Sequence, residues 1–147
     1  MNLQEKLQAE LKQALKNQQE AKVQVLRLLL AQIKNAGIEK KAPLTDEEVL
    51  NLLQRQKKQN LEAIDLYRQG GRQDLVDKEE AEKQIIESFL PKELPEEDLE
   101  KIVDQIIAKV EGNDFGRIMG EVMKEIKGRA DGKAVAAMVK SKLKNRF

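Results

Sequence analysis

Six cations gathered around one helix junction, Lys124, Lys127, Arg129, Lys133, Lys140 and Lys144, are the residues of this chain best suited to chemistry, and that chemistry is anion binding. They surround the stretch from Gly128 to Val135, which reads as a helix stop fused to a helix start. Gly128 follows a regular apolar repeat and suits the left-handed position that ends a helix, while Asp131 can accept hydrogen bonds from the free amides opening the next one. Arg129 and Lys133 put positive charge beside a helix N-terminus, where unpaired amides already favour anions, so a phosphate fits the corner. Catalysis has fewer materials. The chain contains no Cys and no His, which removes thiolate metal ligands and the usual general base. Thr45, Ser88 and Ser141 are hydroxyls without an imidazole to activate them, leaving carboxylates, lysines and the single Tyr67. No catalytic residue, metal or cofactor is assigned, and the residues point to binding rather than to an autonomous enzyme.

The charge distribution sharpens this reading. Net charge is only +1, which argues against a generically basic nucleic-acid binder. Yet Pro95 to Asp114 holds seven acids against two bases, and Phe115 to Phe147 nine bases against three acids. On helical spacing, Gly116, Gly120 and Lys127 share a narrow strip with Lys124 beside it, while Lys133, Lys140 and Lys144 line another around Ala137. Glycines inside a helix cost roughly 1 kcal/mol each relative to Ala, so Gly116 and Gly120 call for close approach, either by a crossing helix or by an RNA backbone or partner. A secondary candidate surface is Arg55, Lys57 and Lys58, within a stretch from Gln54 to Asn60 that is polar on every face and is expected to protrude from the core or meet a wet interface. With aromatics at 3%, the stacking platform for single strands is missing, and folded RNA read by shape and phosphates is the fitting nucleic acid.

The elements that must position these residues are helices. High Leu, Lys, Glu, Gln and Ala content with 36% charged residues predicts an all-α fold in two helical domains, a four-helix N-terminal domain over 1–92 and a three-helix bundle over 93–147. Leu3, Leu7, Leu11, Ala14 and Leu15 mark an outer helix. Val23 to Ile33 is apolar around most of its circumference and predicts a buried helix ended at Gly37, with Arg27 paired to a surface carboxylate. Thr45-Asp-Glu-Glu48 is a capping box opening a third helix to about Gln69; Gly70-Gly71 breaks it, and Asp74 is the expected cap of the fourth. Pro91 and Pro95 forbid a continuous helix and place the domain boundary. Beyond them, Leu99, Ile102, Val103, Ile106, Ile107 and Val110 recur at one helical spacing, which Phe115, Ile118, Met119, Val122, Met123 and Ile126 repeat. Val135, Met138, Val139 and Leu143 turn a last helix inward. No stretch approaches a membrane-spanning length and the N-terminus lacks a signal-peptide apolar core, which predicts a soluble, cytoplasmic protein without a membrane partner.

In order and spacing, Val25-Leu-Arg-Leu-Leu, Leu44-Thr-Asp-Glu-Glu-Val, Gly71-Arg-Gln-Asp-Leu, Phe89-Leu-Pro-Lys-Glu-Leu, Phe115-Gly-Arg-Ile-Met-Gly-Glu-Val-Met and Gly128-Arg-Ala-Asp-Gly-Lys together resemble the YqeY family over close to the full length. That family shares its fold with the C-terminal tail region of GatB, a component of aminoacyl-tRNA amidotransferase. The resemblance implies two helical domains and an RNA-facing tail that helps hold tRNA. In the amidotransferase the chemistry of a carbon–nitrogen ligase with glutamine as amide donor belongs to a separate catalytic domain, and nothing in this chain resembles it. The expectation is a non-catalytic accessory protein binding tRNA or other folded RNA, with a possible protein partner in tRNA amidation or translation. The alternatives are a helical protein-interaction module, docking through the glycine strip and the Gln54–Asn60 segment, and a part in the amidotransferase reaction itself.

Overall fold

The computed structural model describes residues 1–145, which form seven α-helices and, among the described residues, no strand. The chain divides into two compact units, Met1–Leu90 and Pro91–Phe147.

The first unit holds α1 (Leu3–Lys16), α2 (Glu20–Lys40), α3 (Asp46–Gln69) and α4 (Gln73–Glu87). Its core is the apolar set the periodicity marks: Leu7, Ala14, Leu26, Leu29, Ile33, Val49, Leu53 and Ile86 are all buried. Asn2 caps α1 by accepting from Glu5 N, and Thr45 and Glu48 complete the reciprocal capping box of α3. Four local expectations fail. Gly37 does not end α2, which runs on to Lys40 and closes on Lys41 in the left-handed region at φ 63°. Ala14 fills the core without Leu15, which remains 49% exposed. Asp74 does not cap α4; it lies in the first turn, 3.1 Å from Arg72 Nη2, and the Arg72 side chain holds its carboxyl below the ordinary range. Arg27 is exposed without an ion pair among the described residues.

The largest departure is in the middle of α3. The polar run from Gln54 to Asn60 does not protrude. Asn60 is 1% exposed, and its Nδ2 donates to a carboxylate oxygen of Glu79 and, at 3.1 Å, to Glu82 Oε2, both on α4. Its Oδ1 accepts from Gln56 Nε2 at 3.3 Å, and Gln56 Oε1 accepts from Gln32 Nε2 of α2 at 2.9 Å. The apolar row is interrupted because a satisfied polar seam replaces it. A buried amide is tolerated only when its hydrogen bonds are made, and every buried side-chain nitrogen or oxygen among the described residues has a partner.

The second unit is a bundle of α5 (Glu96–Lys109), α6 (Phe115–Ile126) and α7 (Gly132–Lys144). Leu99, Val103, Ile118, Val122, Ile126, Val135 and Val139 make its core, as the repeated stripes predict. Asp114 caps α6 by accepting from Arg117 N at 3.2 Å, and Asp131 caps α7 by accepting from Lys133 N at 3.3 Å.

Candidate nucleic-acid interface

The corner between α6 and α7 is tighter than its glycine alone implies. Lys127 and Gly128 both adopt left-handed backbone, at φ 49° and 76°, so the reversal uses two consecutive residues, one of them a lysine. A left-handed non-glycine residue costs roughly 1 kcal/mol or more, and here it swings the Lys127 side chain outward, where it is exposed. Arg129 is half-buried and already engaged: its Nε donates to Lys92 O at 2.9 Å, while its carbonyl accepts from Leu94 N at 2.8 Å. The proline-flanked segment is thereby tied to the corner. Of these six cations, Arg129 thus has a structural task within the second unit.

The lysines behave differently. Lys124, Lys127, Lys133, Lys140 and Lys144 are exposed, and no carboxylate of the described residues lies within ion-pairing distance of them. Lys140 Nζ sits 5.5 Å from the centroid of the Phe115 ring, which draws the α7 stripe toward the start of α6. Lys142 makes the contrast. It lies half a helical turn from the Lys133–Lys140–Lys144 stripe, and its Nζ is 2.6 Å from Glu100 Oε1 and 3.3 Å from Asp104 Oδ1, clamping α7 to α5. Glu100 holds the Lys142 ammonium above its ordinary range, and Lys142 holds the Glu100 carboxyl below its own. Sequence reasoning misses this clamp, although a lysine opposite the stripe and two acids one turn apart on α5 are the signal for it.

Gly116 and Gly120 are exposed, and among the described residues no helix crosses them. A Cβ at Gly120 would meet nothing within 4 Å, and one at Gly116 would meet only Asp114 Oδ1 at 3.6 Å. Bare main chain therefore borders Lys124 on the outer side of α6. The secondary cations are not gathered: Arg55 is exposed beside a polar groove between α2 and α3, whereas Lys57, its side chain 18% exposed, reaches to 3.9 Å from Glu87 Oε1, and Lys58 is half-buried. Among the described residues no group of His, Cys, Asp or Glu is arranged to hold a metal ion, and no helix is long and apolar enough to cross a membrane.

Known proteins resemble the chain over much of this architecture. Over 91 residues the chain is 33% identical to an uncharacterized protein of Schizosaccharomyces pombe, a match spanning 62% of this chain and 74% of that one. It is 32% identical over 84 residues to the altered inheritance of mitochondria protein 41, mitochondrial, of Pyrenophora tritici-repentis, and 34% identical over 85 residues to the protein of that name in Eremothecium gossypii. Each of these two matches covers 57% of this chain and 46% of the relative, so the chain spans about half the length of those two proteins. The family model described as Yqey-like protein matches residues 4–143, from the first helix to the last, and the chain belongs to the YqeY family.

Proposed function

We propose that this protein is a non-catalytic accessory factor that binds folded RNA, tRNA being the foremost candidate, through Lys124, Lys127, Lys133, Lys140 and Lys144, with Arg129 at the corner. The observation that carries the reading is the division of labour on α7. Lys142 is neutralised by two carboxylates, whereas the three lysines of the opposite stripe, together with Lys124 and Lys127, meet none among the described residues. Five ammonium groups with few acids interleaved and none in ion-pairing reach leave a field that is weakly cancelled locally and that attracts phosphates. The exposed backbone at Gly116 and Gly120 allows a ribose-phosphate chain to come close. The resemblance to the amidotransferase tail supports the same choice, and a place beside tRNA amidation or translation in the cytoplasm goes with it; no catalytic step is assigned.

Filter binding of the full chain to total tRNA tests this. Neutralising about five phosphates gives log affinity a slope of about −4 to −5 against log salt, or a loss of some hundreds-fold between 50 and 200 mM. The variant Lys133→Glu/Lys140→Glu, which spares Arg129 and its hydrogen bond to Lys92, is expected to lower affinity at least tenfold at the lower salt. Equal retention of variant and wild type at both salt concentrations would overturn the proposal.

A further inference from the structure

A polar groove of about 310 Å³ lies between α2 and α3 of the first unit. Ala36 and Leu52 are the apolar part of its lining; the rest is carboxamides with one carboxylate, Glu39, and one guanidinium, Arg55. Glu39 and Arg55 border the same groove yet do not pair. Both are exposed without a hydrogen bond or ion pair among the described residues, as are the carboxamides of Asn35 and Gln59. Opposite charges left apart in one groove select a ligand at both ends: a simple anion or cation answers one of them, a zwitterion both.

A further hydrogen-bonding atom of the groove has its orientation fixed from outside it. Ionised carboxylates only accept, so Asn60 turns its Nδ2 to Glu79 and Glu82 and its Oδ1 to Gln56. Gln56 therefore donates toward Asn60 and accepts with its Oε1 from Gln32 Nε2, which leaves Gln32 Oε1 over. That oxygen has no partner among the described residues and is not buried, so the groove offers a carbonyl acceptor as well as its two charges.

We infer that this groove binds a free α-amino acid with a hydrogen-bonding side chain, its carboxylate on Arg55, its ammonium on Glu39 and a side-chain N–H or O–H on Gln32 Oε1. A guanidinium fork matches a carboxylate with two parallel hydrogen bonds, which fixes the end that Arg55 takes. The lining runs from Gln32 to Glu39 on α2 and from Leu52 to Gln59 on α3, about 10 Å along each helix, which is room for one such molecule. Asn35 and Gln59 both donate and accept, so they suit a polar side chain of either kind. RNA fits less well here. One cation sharing the groove with a carboxylate does not concentrate phosphates, and no aromatic ring lines it to stack a base.

The test is titration of isotope-labelled full-length protein with L-serine, L-threonine and L-citrulline, whose side-chain donors have short and long reach, followed by backbone amide shifts. At least one should give saturable shifts clustered over 32–39 and 52–59. The amidated and the N-acetylated forms of that amino acid lack the carboxylate and the ammonium respectively, and each should bind at least about tenfold more weakly. Arg55→Ala and Glu39→Ala, both at exposed helix positions, should each cost about tenfold with circular dichroism unchanged, and Gln32→Met about threefold. Lys133→Glu/Lys140→Glu should leave amino-acid affinity undiminished, which separates this site from the RNA-binding reading. Absence of saturable shifts with all three amino acids, equal affinity for the blocked forms, or full affinity in both charge variants would overturn the inference. Inorganic phosphate producing the same shifts as tightly would overturn it too, since an anion on Arg55 would then suffice.

Discussion

The two units bury their helices with opposite use of polar side chains. In Met1–Leu90 the centre of the α3–α4 hairpin is an amide held between two carboxylates, Asn60 between Glu79 and Glu82, and a glutamine pair extends the seam to α2. Among the described residues of the second unit the buried side chains are aliphatic, and charge is kept outside, where it is either clamped, as at Lys142, or left open, as along Lys133, Lys140 and Lys144. Apolar stripes tolerate small slips of one helix along another; a buried amide with fixed partners favours one register. The first unit uses polar groups to set its own geometry. The second keeps them at its surface, paired at Lys142 and, among the described residues, without an ion pair along the α7 stripe.

The sharpest way to break that contrast is a cavity in the aliphatic core. Ile118→Ala should destabilise the second unit by about 3–4 kcal/mol, read by urea denaturation, because Ile118 is fully buried and the site cannot collapse completely; a loss below about 1 kcal/mol would deny that this core is close-packed. Next comes the seam. Asn60→Ala should cost about 2–3 kcal/mol, since it leaves two part-buried carboxylates without their shared donor; near-neutral behaviour would mean that the network only decorates the hairpin. Gly120→Ala is smaller and of opposite sign. With nothing within 4 Å of the added Cβ, it should stabilise by about 0.5–1 kcal/mol in thermal melts, while weakening RNA retention if the bare backbone is a contact.

The smallest effect is that of pH on the clamp. Lys142 holds the Glu100 carboxyl below its ordinary range, so the stabilisation is complete above that range and disappears as pH falls through the lowered value. Glu100 holds Lys142 above its own range, so the same contact is complete below the ordinary lysine range and is lost as pH rises through the raised value. The denaturation midpoint of wild type should therefore exceed that of Lys142→Met through the neutral range, with the gap closing in acid and in strong base. A gap independent of pH would show that Lys142 contributes through its methylene packing rather than its charge.

Much of the fold was legible because its signals are local. The capping box at Thr45–Glu48, the paired stripes of α5 and α6 and the cap at Asp131 depend on spacing within one or two turns, and the structure reproduces each. Other signals mislead for the same reason. Gly37 is a fair helix stop by propensity, but the helix continues to Lys40 and closes on Lys41, whose left-handed backbone lets Ala42 N donate back to Gly37 O at 3.1 Å. The run from Gln54 to Asn60 has no apolar face, and periodicity treats such a stretch as solvated; the carboxylates that meet Asn60 lie on another helix, 19 and 22 residues away.

The candidate site divides along the same line. The sequence by itself determined which cations lie on α6, α7 and the turn between them, that α7 has a lysine stripe opposite its apolar face, and that Cys and His chemistry is excluded, because composition and helical angle suffice for each. Only tertiary structure decided which charges are cancelled. Arg129 is drawn to Lys92 O and Lys142 to Glu100 and Asp104 by contacts 37 to 42 residues apart, while Lys133, Lys140 and Lys144 are left facing outward. A charge becomes available to a ligand only when the fold places no opposite charge beside it, and that is set by what packs across a helix, not by what lies along it.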